Sequence, residues 1–184
     1  MKSIKFLLII ALLIKLVGCT QTQGIDEERQ WPSYRGYYGS GILDNTSLPE
    51  NWDVDEGVNI RWKVDIPGLA LSCPVVWEEK LFITSAISEI DNKELRAGAY
   101  VNSYPVEDES VHKWKVYCYN GKTGELIWER TSYSGVPEVK RHPKSTHANC
   151  TPATDGKHVV VFFASEGLYC YDVNGELLWE KDFG

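Results

Sequence analysis

Two histidines, His142 and His147, lie five residues apart in the segment HPKSTHANC, and Asn149 follows the second one. Imidazole nitrogens are common metal ligands, so the pair is a candidate for a metal or ligand contact. A metal site needs at least three protein ligands, and no third ligand stands at a suitable spacing. We therefore expect ordinary polar loop residues here, with metal binding as the alternative.

The cysteines are the second set of reactive side chains. They stand at five positions: Cys19, Cys73, Cys118, Cys150 and Cys170. None belongs to a Cys-x-x-Cys pair, so neither a zinc motif nor a redox motif is indicated. A disulfide between two of the last four suits an exported protein, but the sequence does not assign the pairing.

The first of these cysteines ends a segment that has the features of an export signal. Lys2 and Lys5 make residues 1–18 basic at the start, an apolar run follows, and LVGC ends at Cys19. These last four residues resemble the lipobox of bacterial lipoproteins. The resemblance implies cleavage before Cys19, a lipid on its thiol and anchoring to a membrane of the cell envelope. Thr20 after the cysteine favours the outer membrane, and a plain cleaved signal is the alternative.

The charge of the remaining chain limits its partners. The whole chain has a formal charge of −7, and residues 19–184 carry 16 basic and 26 acidic side chains, a formal charge of −10. Such a surface repels phosphate backbones, so we expect no nucleic-acid binding. Envelope proteins are the expected partners.

The chain after the signal divides into three parts. Residues 19–30 are polar and predict a tether, and residues 31–58 are rich in glycine and aromatic residues and predict an ordered loop segment. From residue 59 to 184, short apolar runs are separated by Gly, Asp, Asn and Pro, which is typical of an antiparallel all-β protein. No window predicts an amphipathic helix.

An internal repeat organises this β region. The segment YCYNGKTGELIWER at 117–130 returns as YCYDVNGELLWEK at 169–181. Each copy closes a predicted unit of four strands: 72–77, 81–86, 113–120 and 125–130 in the first unit, and 151–154, 158–164, 168–172 and 176–181 in the second. Residues 87–112 are an insertion between the second and third strands of the first unit, and the acidic run 107–109 within it predicts a solvated face. A partial copy, RWKVDIPG around Trp62, predicts one isolated outer strand.

These repeats resemble the tryptophan-docking motif of quinoprotein β-propellers, A-x-D-x-x-T-G-K-x-x-W. Gly124 and Trp128 match the motif in the first unit, and Gly175 and Trp179 match it in the second. The resemblance implies a PQQ-like β-propeller of four-stranded blades, in which each Trp docks on a neighbouring blade and Cys118 and Cys170 are core filler. Only two complete blades and the strand at Trp62 are present, so we expect an incomplete ring, and thus a fragment or a chain completed by other copies.

The resemblance leaves the function open between three classes. The first is a non-catalytic binding or assembly scaffold of the cell envelope, similar to the propeller lipoprotein of the outer-membrane β-barrel assembly machine. The second is a PQQ-dependent dehydrogenase, which would need PQQ and a calcium site of Glu, Asn and Asp. The third is a ligand-binding or glycan-binding propeller. No adjacent cysteines and no calcium constellation are identifiable, so we expect the scaffold, with no catalytic residue and no cofactor.

The lipid anchor gives the first testable prediction. Replacing Cys19 with Ala removes the thiol that the lipid needs, so we expect the variant to leave the membrane fraction of cells that retain the wild-type chain. Cell fractionation followed by immunoblotting measures this shift. Cys150→Ala is the matched control and is expected to stay in the membrane fraction. A Cys19→Ala chain that remains membrane-bound would refute the anchor.

Overall fold

The computed structural model describes residues 25–44, 46–96, 98 and 104–183. The signal segment and Cys19 lie outside the described residues. The described chain is all-β apart from two single 3₁₀ turns, Glu27–Arg29 and Ala164–Glu166. No helix in this part of the chain is long and apolar enough to span a membrane.

The strands form two four-stranded antiparallel sheets in which each strand pairs with its neighbour in sequence. Sheet 1 contains β1 (Val75–Trp77), β2 (Lys80–Ser88), β3 (His112–Asn120) and β4 (Leu126–Gly135). Sheet 2 contains β5 (Ala153–Thr154), β6 (His158–Phe162), β7 (Leu168–Asp172) and β8 (Leu177–Lys181). This confirms the predicted all-β class and the two four-stranded blades.

The strand ends differ from the sequence prediction mainly around the insertion. β2 continues to Ser88, which pairs with His112 at the start of β3, and β4 extends to Gly135. The ladder between β2 and β3 is therefore longer than the repeat predicts. The reason is that the two ends of the insertion lie side by side. β2 and β3 therefore stay paired beyond the length of the corresponding strands in sheet 2.

Asx turns and glycines close the hairpins of both sheets. Asn120 Oδ1 accepts hydrogen bonds from the backbone N–H groups of Lys122 and Thr123, and Asp172 Oδ1 accepts two in the corresponding turn of sheet 2. Gly124 and Gly175 follow with φ of 76° and 88°, a conformation that side chains with a Cβ rarely adopt. The Asn or Asp residue at this position of the repeat therefore determines the shape of the turn.

The main core lies between the two sheets. Sheet 1 contributes Phe82, Cys118 and Trp128, and sheet 2 contributes residues of β6 and β7 such as Tyr171. The Trp128 ring lies 6.0 Å from the Phe82 ring and 6.3 Å from the Tyr171 ring, measured between centroids. One face of sheet 1 is therefore buried against sheet 2, as in adjacent propeller blades.

The segment before β1 differs from the prediction in one respect. Residues 59–67 form no hydrogen-bonded strand, so the expected outer strand around Trp62 is wrong as a strand. The physical reason is that no described strand lies beside it to complete a ladder. Trp31 and Leu69, one on either side of this segment, each form an isolated bridge to sheet 1, with Val76 and Ala86 respectively.

The turn of sheet 2 gives a stability prediction. A Cβ at Gly175 would lie 2.8 Å from the Trp128 ring, and its φ of +88° is unfavourable for alanine. We expect Gly175→Ala to lower the free energy of unfolding by roughly 2–4 kcal/mol, the sum of backbone strain and overpacking. Chemical denaturation measures the change.

Gly57→Ala is the matched control for this prediction. Gly57 also has a positive φ, +71°, but no atom lies within 4 Å of the added Cβ. We therefore expect a loss of about 1 kcal/mol, from backbone strain alone. Equal losses in both variants would contradict the packing role assigned to the Trp128 ring.

Candidate functional site

Tryptophan rings dock on glycine turns of the two sheets at three places, and a fourth ring, that of Trp31, covers Gly36 in the loop before the sheets. Trp62 covers Gly124 and donates its indole N–H to Gly121 O at 3.0 Å, and Trp128 covers Gly175 and donates to Val173 O at 3.1 Å. In both pairs an added Cβ would lie 2.8 Å from the ring. The turns therefore provide a flat surface without side chains, together with a carbonyl acceptor for the indole.

Sequence reasoning missed the third pair. Trp77, at the end of β1, covers Gly156 in the turn between β5 and β6, where a Cβ would clash with the indole ring. Its Nε1 is the one buried side-chain polar atom without a hydrogen-bond partner among the described residues. The sequence shows both residues, a Trp at the end of β1 and an Asp-Gly turn between β5 and β6. The tryptophan-docking motif does not indicate that these two residues contact each other.

Trp179, the repeat partner of Trp128, has no glycine turn against it in the described residues. Its side chain is 44% exposed, whereas Trp128 is 7% exposed. It lines an open cavity of about 420 Å³ together with Val160, Cys170 and residues of the β5–β6 hairpin. This outer face of sheet 2 is apolar and accessible.

The cysteines of the two repeats lie in packed positions. Cys118 is fully buried in the core between the sheets, and burial raises the pKa of its thiol to about 12. Cys170 is 2% exposed, and burial also raises its pKa. Neither is a thiolate near neutral pH. All four described cysteines, which also include Cys73 and Cys150, are free thiols.

A buried polar cluster lies where the insertion meets sheet 1. Asp108 is 8% exposed, so the prediction of a solvated face for residues 107–109 is wrong at its central residue. Its carboxylate accepts hydrogen bonds from Ser88 Oγ at 2.8 Å and from Ser110 Oγ at 2.6 Å, and His112 Nε2 lies 3.6 Å away. These hydrogen bonds lower the pKa of Asp108 against the opposing effect of burial. The backbone N–H of Ser110 is a third donor, at 3.0 Å from Oδ1, and together the three hydrogen bonds offset the cost of burying the carboxylate.

The flanking acids behave as predicted for a solvated face. Glu107 and Glu109 are exposed, and Lys140 lies 2.5 Å from the first and 3.2 Å from the second. The alternation of residues along an extended segment therefore places Asp108 inward and its neighbours outward.

His147 packs against this cluster. Its ring centroid lies 5.1 Å from that of His112 and 5.7 Å from that of Trp114, and Trp114 Nε1 donates to the His147 carbonyl at 3.1 Å. Burial lowers the pKa of His147 to about 4, with His112 and Arg141 adding to the effect and Asp108 opposing it. The imidazole is therefore neutral at neutral pH.

Arg141 ties the insertion to the loop between the sheets. Its side chain is 6% exposed and donates to Glu94 O at 2.7 Å and Ser145 O at 3.3 Å. Two backbone hydrogen bonds run alongside, from Arg96 N to Pro143 O and from Val106 N to Arg141 O. The described parts of the insertion are thus bound to the loop that carries the two candidate histidines.

The two histidines line one pocket but have different environments. The pocket has a volume of about 220 Å³ and lies between the loop and the 3₁₀ turn of sheet 2. His142 is exposed and its Nδ1 accepts the backbone N–H of Lys144 at 3.1 Å, whereas His147 packs inward. Among the described residues, no group of three or more His, Cys, Asp or Glu side chains is arranged to hold a metal ion.

Comparison with known proteins adds no identification. No family model matches the chain, and no curated protein sequence matches it.

The His147 environment predicts a pH dependence of stability. Between pH 6.5 and 4 the unfolded chain binds a proton at His147 that the folded chain does not, so the free energy of unfolding falls as the pH decreases. We expect His147→Gln to make this decline shallower, as measured by chemical denaturation at several pH values. An NMR titration of the wild-type ring should give a pKa near 4. Identical slopes in the two proteins would contradict the prediction.

Proposed function

We propose that this chain is an exported, lipid-anchored β-propeller of the PQQ-like type that acts as a non-catalytic protein-binding scaffold in the cell envelope. The lipobox-like LVGC segment supports the anchor, and the repeat with its Trp–Gly pairs supports the propeller type. Repeats of this kind indicate a fold and not a particular chemistry. The proposed binding role is therefore argued from an exposed surface of sheet 2.

The observation that carries the proposal is the outer face of sheet 2 around Trp179. The equivalent face of sheet 1 buries Phe82, Cys118 and Trp128 against sheet 2. On sheet 2 the equivalent tryptophan is 44% exposed, next to an open apolar cavity. This face repeats the Cys–Trp pair of sheet 1 in the same register, with Val160 in the place of Phe82. Contact with a partner would bury the exposed Trp179 ring and gain the hydrophobic free energy that exposure forgoes.

The Trp–Gly pairs indicate the occupant of this face. Trp62 and Trp128 each cover a glycine turn and donate to a carbonyl of that turn or of the residues beside it. We therefore propose that Trp179 docks on a four-stranded sheet that presents a glycine turn of the same kind. The quinoprotein dehydrogenase stays an alternative without a supporting contact, and we assign no catalytic or cofactor-binding residue.

A photo-crosslinking residue placed in the full chain at position 179 tests the scaffold. We expect it to form a covalent adduct with an envelope protein in living cells, and Trp179→Ala to lose co-purification of that protein. Mass spectrometry of the adduct identifies the partner and the segment that contacts Trp179. We expect that segment to contain a glycine turn of a four-stranded sheet.

Leu177 is the matched control position. It is 46% exposed and pairs with Tyr171 across the ladder, whereas Trp179 pairs with Cys170, so the two side chains lie on opposite faces of sheet 2. We expect little adduct at position 177 and retained co-purification in Leu177→Ala. Adduct formation at both positions alike, or at neither, would contradict the proposed docking face.

A further inference from the structure

The glycine turn of sheet 1 has the same construction as the turn of sheet 2 that receives Trp128. Val173 follows the Asx residue of its turn, and its carbonyl accepts the Trp128 indole N–H at 3.1 Å. Gly121 follows the Asx residue of the sheet 1 turn, and its carbonyl accepts the Trp62 indole N–H at 3.0 Å. Trp62 therefore occupies the position of a tryptophan that docks from a neighbouring sheet.

The segment that carries Trp62 makes few hydrogen bonds. Trp128 lies on β4, which is paired with β3, whereas residues 59–67 form no ladder. The indole bond to Gly121 O is the one hydrogen bond that residues 61–67 form with the described chain. A segment with so few backbone contacts opens at a lower free-energy cost than a strand that is paired within a sheet.

The same segment leaves the adjoining face of sheet 1 incompletely covered. In sheet 2, Val159 and Val161 lie in the core between the sheets and are 0% and 1% exposed. Leu81 and Ile83 have the equivalent positions in sheet 1, because each pairs with the corresponding tyrosine of the next strand. Both stay partly exposed. A neighbouring sheet on this face would bury them and gain hydrophobic free energy.

The outer face of sheet 2 carries donors that match such a turn. On sheet 1, Arg130 donates to Gly175 O at 2.7 Å, beside the contact that Trp128 makes. Lys181 has the register position on β8 that Arg130 has on β4, two residues after the tryptophan. Residues two apart on a strand share a face, so Trp179 and Lys181 present an indole N–H and a cationic donor together.

We infer that residues 59–67 are a displaceable cap on the docking turn of sheet 1, and that the Trp179 face of a second copy of this chain displaces them. Each chain carries both halves of this contact, and the packing of sheet 1 on sheet 2 within the chain is its template. The contact is head-to-tail, because it joins two different faces. The inference rests on the proposed Trp179 face and adds one partner, together with the Trp62 cap that limits its binding.

Trp62→Ala removes the ring of the cap and tests the inference. We expect the variant to self-associate about tenfold more tightly than the wild-type chain, because the apparent affinity rises with the fraction of open turns. Sedimentation velocity of the full chain over a series of concentrations measures the change. Trp52→Ala removes an exposed tryptophan of the same part of the chain, and this matched control is expected to associate as the wild type does.

A mixing experiment tests the polarity of the contact. The double variant Trp62→Ala/Trp179→Ala has an open turn and no docking tryptophan, whereas the wild-type chain has a docking tryptophan and a capped turn. We expect the double variant alone to stay monomeric, and its mixture with the wild type to contain a complex of one copy of each. A mixture of the double variant with Trp179→Ala is expected to contain no complex, because neither chain has the docking ring.

Trp62→Phe is the second variant if Trp62→Ala fails to fold. It keeps an aromatic ring over the Gly124 turn but loses the hydrogen bond to Gly121 O. We expect self-association about fivefold tighter than that of the wild type, since one hydrogen bond of the cap is removed.

Each outcome decides the inference. Association of Trp62→Ala that is lost in the double variant supports it. A monomeric Trp62→Ala chain overturns it, and so does association that persists in the double variant, because that contact does not use Trp179. If photo-crosslinking at position 179 captures a different protein and no variant self-associates, the docking face is supported and the second copy is overturned as its partner.

Discussion

The packing of a tryptophan ring on a glycine turn is the contact on which the described structure depends. An indole ring is large and flat, and its face packs directly on a backbone turn only where no Cβ lies between them. Gly124, Gly156 and Gly175 provide that surface because their positive φ values and missing Cβ atoms allow it. The sheets are joined through two of these pairs, and the core between them closes around the Trp128 ring.

This joining of the sheets also creates the polar sites. Once sheet 1 and sheet 2 pack face to face, the loop between them must cross one end of the interface, where it meets the insertion. There the guanidinium of Arg141 donates to two backbone carbonyls and the carboxylate of Asp108 accepts from two serine hydroxyls, which offsets part of the cost of burying both charges.

Sequence reasoning reached most of the fold and little of the site. The repeat predicts both sheets and their strand order, because alternating apolar residues and Asx-Gly turns act locally along the chain. It predicts a strand around Trp62, and that was wrong, since a strand exists only with a neighbour to pair with. It also predicts a solvated residue at 108, and that was wrong, because burial of Asp108 depends on serines distant in sequence.

The sequence by itself determined the hairpins, the glycine turns and the positions of the repeated tryptophans, since these follow from residues that are close together in the chain. Only the tertiary structure decided which ring covers which turn, why Trp77 belongs with Gly156, and which carboxylates lose contact with water. These outcomes depend on contacts between segments tens of residues apart. The residues of a short segment do not indicate which residue of the other sheet will contact them.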